Sequence, residues 1–120
     1  RGLFIAMLRQ MREIMEGLYK WENFKEHPER DEWVEEVSRA RRELKEIFED
    51  SPSLKAIAQN KDTMQRAWKL SVRALASWLR LPPNKALVVS YFKGKLPTEK
   101  DFPPECPYTF QQVMEYKPWV

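Results

Sequence analysis

The chain has 120 residues, of which 42% are apolar and 32% are charged, so it is long enough for one domain with one small core. Its 21 basic and 18 acidic residues give a formal net charge of +3, far from that of a polybasic tail. One cysteine and one histidine exclude a disulfide framework and leave almost no ligands for a Cys/His zinc site, so we expect no metal and no cofactor. No apolar run is long enough to span a membrane, and we expect a cytoplasmic protein without a membrane partner.

The first predicted helix covers residues 3–22 and has a broad apolar face. At about 100° per residue its apolar side chains fall within roughly 160°, a width that needs packing on more than one side and predicts a central helix. Lys20 falls on the opposite, polar side. Because the apolar pattern begins without a capping residue, we expect a missing segment upstream of residue 1.

Part of this apolar face is also a candidate partner surface. Its methionines recur every four residues among larger apolar side chains, and methionine adapts readily to different partners. The spacing favours burial in the core, but a face left uncovered would form an interface between chains. The candidate residues are Phe4, Met7, Leu8, Met11 and Met15.

A second helix is predicted over residues 29–49, after the break at His27-Pro28. Pro28 suits the start of a helix, and acidic residues in the first turn suit the positive end of the helix dipole. The apolar positions form a narrow seam, so most of this helix should face water. They are Trp33, Val37, Ala40, Leu44 and Ile47, with Phe48 alongside.

A third helix is predicted over residues 53–80, with Ser51 suited to cap it and Pro52 to its first position. In an ideal helix Asn60 and Lys61 would point toward the core. We therefore expect either a kink near these two residues or a first part that overhangs the bundle.

Seven of the nine prolines lie in the remaining segment, residues 82–120. Residues 86–92 are apolar and β-branched, which leaves both helix and strand open, and we favour a short helix because no partner strand is apparent. Residues 93–107 are predicted to be loop. Thr109 and Gln112 have the spacing of a capping box and predict a final short helix.

These elements predict an all-α fold, with one domain over residues 1–120. Residues 1–81 form an antiparallel bundle of three main helices. Residues 82–120 form a proline-rich arm that ends in the short capped helix.

The sequence contains two motifs that are separated by a helix. The first comprises Trp21, then Trp33, Val37, Arg41 and Leu44 at helical spacing, and then Ser51-Pro52-Ser53-Leu54. The second is Phe102-Pro103-Pro104-Glu105-Cys106-Pro107-Tyr108-Thr109, followed by Gln112 and Val113. Together, in this order, the two motifs resemble an uncharacterised all-helical family, domain of unknown function twenty-nine. The resemblance implies a helical bundle and brings no activity with it.

Two departures from the family pattern are visible. The family usually has a further helical segment upstream of the part that matches residue 1, and it is absent here. The stretch 82–101 is also longer than usual. The first departure implies a truncated or divergent form whose core is incomplete.

Enzymatic chemistry has few candidates in this sequence. A Cys–His pair would require Cys106 and His27 to meet, and no third orienting group is evident. We interpret Cys106 as a half-buried apolar residue with a raised thiol pKa because of Glu105, and His27 as a cap or a solvent-exposed side chain. Catalytic residues are therefore predicted to be none, and a metal site is not expected.

The charges are distributed unevenly among the helices. Residues 29–50 contain 5 basic and 9 acidic residues, net −4, whereas residues 51–81 contain 6 and 1, net +5. Five of the latter cations fall on one side of the third helix, away from its core face. They are Lys55, Arg66, Lys69, Arg73 and Arg80.

Two interpretations of this basic stripe remain. It is a candidate surface for nucleic acid or another anionic partner, or it is solvated or paired with the acidic second helix. Our leading hypothesis is a non-enzymatic helical interaction module that self-associates through the first helix or binds a protein partner. The alternative is binding of nucleic acid or an anionic partner through the basic stripe.

Overall fold

The computed structural model describes residues 2–120, and Arg1 lies outside the described residues. Within this range all regular structure is helical, which confirms the all-α fold class. Residues 2–120 contain six α-helices: α1 (Gly2–Asn23), α2 (Arg30–Asp50), α3 (Pro52–Ala58), α4 (Lys61–Leu79), α5 (Lys85–Phe92) and α6 (Phe110–Glu115). Short 3₁₀ turns precede α5 at Pro82–Asn84 and lie in the arm at Glu99–Asp101.

Helix α1 is central, as its broad apolar face predicts, and it packs against both α2 and α4. Its Met11, Ile14 and Leu18 are fully buried, and Val37 of α2 and Leu75 of α4 meet them in one continuous core. At about 0.8 kcal/mol per buried CH₂, these contacts supply most of the favourable free energy of folding.

The predicted third helix is two helices, α3 and α4, separated at Gln59-Asn60. Asn60 has an extended backbone with φ −65° and ψ 140°, which turns both Asn60 and Lys61 to the solvent. The expectation of one continuous helix over residues 53–80 is therefore wrong, whereas the expected kink is located correctly. The physical cause is the cost of burying an amide and an ammonium group in the core.

The arm is helical at residues 85–92, so the strand alternative is wrong there. Lys93, with φ 55°, and Gly94, with φ 84°, are both left-handed and end α5. The capping box is confirmed: the N–H of Gln112 donates to Thr109 Oγ1 over 3.1 Å, and the N–H of Thr109 donates to Gln112 Oε1 over 2.9 Å.

No helix within residues 2–120 combines the length and apolar character needed to cross a membrane.

Candidate functional site

Three cations on the outward side of α4 and the residue that follows the helix form what we call the basic face: Arg66, Lys69, Arg73 and Arg80. All four are exposed, because the core contacts of α4 occupy its opposite side. The fifth residue of the predicted stripe, Lys55, is exposed on α3 and lines a different groove with Lys45 and Glu49 of α2. The break at Asn60 separates it from the other four.

The basic face does not meet the acidic helix. Helix α1 contacts both α2 and α4 along its length, whereas α2 and α4 approach each other through Trp33 and Trp78, whose ring centres lie 5.6 Å apart on the inner side of α4. Within α2, the carboxylate of Glu43 lies 3.7 Å from the guanidinium of Arg39. For the four cations of the basic face, the interpretation of pairing with α2 is therefore wrong.

Few groups in the described part of the chain neutralise the basic face. The Nε atom of Arg73 lies 4.0 Å from a carboxylate oxygen of Glu99, and both side chains are largely exposed. The Arg66 guanidinium lies 5.5 Å from the centre of the Phe4 ring. An exposed ion pair contributes about 0–1 kcal/mol, so the positive potential of this face is largely retained.

The candidate partner surface on α1 lies mostly inside the molecule. Met7, Met11 and Met15 are 0% exposed and Leu8 is 5% exposed, because α2, α4 and the arm cover them. Only Phe4, which is half-buried, remains at the surface among the five candidates. In the folded chain the other four offer no surface to a partner.

A groove that the sequence did not predict opens where α4 turns into α5. It encloses about 390 Å³ between residues 79–82, the first turns of α5 and residues 94–96. Leu81, Val89 and Leu96 are exposed at its edge, and Arg80 and Lys85 flank it. We call it the α4–α5 groove. In the sequence, the signal for the groove is a segment that combines apolar residues with many lysines.

Cys106 is half-buried and belongs to a structural clamp. Its backbone N–H donates to Gln65 Oε1 over 2.8 Å, while Gln65 Nε2 donates to the carbonyl of Pro104 over 2.8 Å. Burial raises the pKa of the Cys106 thiol, so the predicted direction is confirmed but Glu105 is not the cause.

His27 is buried, so the interpretation that it faces water is wrong. Its Nδ1 accepts the N–H of Glu29 over 3.0 Å, just before α2, which agrees with a capping role. Its Nε2 donates to Asn84 Oδ1 over 2.9 Å, and the ring packs against Trp33 and Trp78. Cys106 instead bonds to Gln65 and Tyr108, so no hydrogen bond joins the predicted Cys–His pair.

The family motifs meet at Arg41. Its guanidinium is buried and donates to three backbone carbonyls at the end of α6: Val113 over 2.8 Å, Gln112 over 3.0 Å and Tyr116 over 2.7 Å. The carbonyl of Gln112 also accepts the N–H of Tyr116 over 3.0 Å. Because the last carbonyls of a helix lack a full set of backbone donors, a cation with several donors suits them. Burial lowers the pKa of Arg41.

Glu22 of α1 also holds the arm against the bundle, through hydrogen bonds from two tyrosines. One carboxylate oxygen accepts the hydroxyl of Tyr108 over 2.6 Å, and the other accepts the hydroxyl of Tyr116 over 2.7 Å. Trp68 adds a bond from its indole N–H to the carbonyl of Pro103 over 2.8 Å. Arg41 of the first motif, together with Pro103 and Tyr108 of the second, thus helps to attach the arm to the bundle.

Lys20 is buried rather than on a polar side. Its ammonium lies 3.0 Å from Glu16 and 4.2 Å from the centre of the Trp78 ring. A cation–π contact and an ion pair compensate for the loss of hydration. Among residues 2–120 there is no cluster of three or more His, Cys, Asp or Glu side chains suited to a metal.

The fold and these hydrogen bonds define a small all-helical domain whose carboxyl-terminal arm is held against the bundle. Residues 5–119 match the model of the family described as Domain of unknown function DUF29, and the chain belongs to that family. Neither a curated protein nor a solved structure matches the chain.

Proposed function

We propose that this chain is a non-enzymatic interaction module that binds an anionic protein partner through the basic face of α4. The observation that carries the proposal is the outward orientation of Arg66, Lys69, Arg73 and Arg80, which leaves their charge available. Along a helix these residues span about 21 Å, the length of a short docked segment.

Nucleic acid is the second candidate, because a row of cations on one exposed face also suits a phosphate backbone. A protein partner is favoured by the position of the aromatic side chains. Single-stranded nucleic acid is bound by stacking bases on exposed aromatic rings. The tryptophans of α4, Trp68 and Trp78, lie on the side that faces the bundle.

The test is a titration of fluorescently labelled poly-glutamate, duplex DNA and single-stranded DNA at low and at physiological salt. We expect poly-glutamate to bind and its affinity to fall as salt rises. The triple variant Arg66→Glu, Lys69→Glu and Arg73→Glu should weaken binding by about tenfold or more, since each change replaces attraction with repulsion.

The matched control reverses three exposed cations elsewhere: Lys25→Glu, Arg42→Glu and Lys117→Glu. It changes the net charge by the same amount and should weaken binding by less than about threefold. Equal losses in both variants would contradict the proposal, because net charge alone would then explain binding. Tighter binding of DNA than of poly-glutamate, lost in the first variant, would favour the second candidate.

A further inference from the structure

We propose that the α4–α5 groove binds a short acidic peptide segment of a partner protein and encloses one aliphatic side chain of that segment. The proposal rests on the proposed function, since it specifies which kind of anionic partner the module takes. The groove is continuous with the basic face, because Arg80 belongs to both.

The apolar character of the groove indicates an aliphatic ligand group. Leu79 and Val88 are buried beneath it, whereas Leu81, Val89 and Leu96 are 51%, 59% and 52% exposed at its edge. Of the eight large apolar side chains that are exposed within residues 2–120, these three surround one concavity. Such clustering of exposed apolar surface marks an interaction site more often than scattered single residues do.

The charge of the groove indicates a ligand with carboxylates. Arg80 and Lys85 flank it, and the described residues that line it include no acidic side chain. Lys93 and Lys95 lie beside Leu96 in the adjoining concavity, where Asp101 is the one acidic lining residue among those described. In a peptide with an aliphatic residue between two acidic residues, the aliphatic side chain would fill the cavity, and the carboxylates would pair with cations on both sides.

The volume and rigidity of the groove suit a peptide. About 390 Å³ is at the small end of binding cavities, enough for a few side chains but not for a folded domain. The α4–α5 turn is held by Asn84, which is buried and donates to the carbonyl of Trp78 over 2.7 Å. The N–H of Gly94 donates to the carbonyl of Val88 over 3.1 Å and fixes the other wall. A preformed site loses less entropy on binding.

The experiment selects from a random peptide library on the immobilised full chain and on two variants. Val89→Glu places a carboxylate at the edge of the groove. Ile5→Glu is the control, since Ile5 is 54% exposed but lies outside the groove. We expect enriched peptides with an aliphatic residue flanked by Asp or Glu. Their affinity should fall by about tenfold or more in Val89→Glu and stay within about twofold in Ile5→Glu.

Two further variants keep the proposal falsifiable if Val89→Glu alters the fold. Leu96→Ser reduces the apolar edge and Lys85→Glu reverses one flanking charge, and both positions are exposed. Each should weaken the enriched peptides while the circular dichroism spectrum and the urea midpoint stay unchanged. Enriched peptides that lack carboxylates, or that bind all variants equally, would overturn the groove assignment.

The outcomes also separate this proposal from the proposed function. The triple variant at Arg66, Lys69 and Arg73 could lose poly-glutamate binding while Val89→Glu still binds the peptides. That outcome would reject the groove but support the basic face. No enrichment of acidic peptides together with no poly-glutamate binding would reject both. Sedimentation with phosphatidylserine vesicles that is lost in Val89→Glu would assign the groove to a membrane surface and overturn the peptide proposal.

Discussion

Arg41 joins the bundle to the terminal helix through three carbonyls that are more than 70 positions away in the sequence. Arg41→Met should destabilise the fold by about 2–4 kcal/mol, because it removes all three hydrogen bonds from a buried site. Arg41→Lys should lose much of the same free energy, since an ammonium group cannot reproduce the planar set of donors. Urea unfolding measures both.

The matched control for Arg41 is its exposed neighbour, Arg42→Met, which should change the free energy of unfolding by less than about 0.5 kcal/mol. Hydrogen exchange should accelerate in α6 of the Arg41 variants before it accelerates in α1. Unchanged exchange in α6 would show that the arm is held by other contacts.

Gly17 allows α1 and α2 to approach closely. A Cβ atom added there would lie 2.5 Å from Cγ2 of Val37. Gly17→Ala should therefore destabilise the fold by about 1–3 kcal/mol, although alanine is the better helix former. In a Val37→Ala background the same change should be neutral or stabilising, and a double-mutant cycle by thermal unfolding checks this sign reversal.

The environment of Tyr108 predicts that the folded chain loses stability at alkaline pH. Burial and the hydrogen bond to Glu22 raise the pKa of Tyr108 well above its usual value near 10. As the pH rises, the hydroxyl of Tyr108 therefore loses its proton at a lower pH in the unfolded chain than in the folded chain. The resulting stabilisation is complete below pH about 10, and above it the free energy of unfolding falls by about 1.4 kcal/mol per pH unit.

The control for this pH dependence is Tyr108→Phe. It should cost about 1.5–3 kcal/mol at neutral pH, because a hydrogen bond to a carboxylate is lost, and it should make the alkaline decline shallower. Denaturant titrations from pH 8 to pH 12 compare the two proteins. Parallel declines would show that Tyr108 titrates alike in the folded and unfolded chain.

At the scale of elements, the proline-rich arm has few helical hydrogen bonds of its own and is held by side chains of the bundle. Gln65 is the clearest case, since its side-chain amide forms hydrogen bonds with the backbone of both Pro104 and Cys106. Gln65→Ala should loosen this part of the arm without unfolding α4. Because burial raises the pKa of the Cys106 thiol, the native thiol should react slowly at neutral pH.

Labelling with iodoacetamide, followed by mass spectrometry, tests the arm directly. Gln65→Ala should raise the labelling rate of Cys106 about threefold to tenfold, since the thiol gains both solvent and thiolate character. Gln111→Ala, an exposed glutamine on α6, is the control and should leave the rate unchanged. Equal rates in all three proteins would show that Gln65 does not restrict access to Cys106.

The elements differ in how well their sequence predicts them. The capping box at Thr109 and the polar interruption at Asn60 are local signals that a few neighbouring residues determine. The contacts of Arg41, the burial of His27 and Lys20, and the α4–α5 groove depend on chain segments that meet only after folding. Helical periodicity also placed Met7 and Met11 on an apolar face, but burial against α2 and α4 decided their role.

For the whole molecule, the covered core face of α1 predicts a monomer. Its large apolar residues contact α2, α4 and the arm of the same chain, and only Leu3 and Ile5 of its first turn are strongly exposed. Sedimentation velocity at high protein concentration should give one species of about 14.4 kDa. A concentration-dependent dimer that Ile5→Glu abolishes would instead support self-association through the first helix.

By separating α2 from α4, helix α1 gives the molecule a permanent electric dipole. Residues 29–50 have a net charge of −4 and residues 51–81 a net charge of +5. An approaching anion is therefore turned toward the positive side within a Debye length, about 8 Å at physiological salt. Rising ionic strength should slow the association rate far more than it changes the dissociation rate, so a partner selected by this field arrives already oriented.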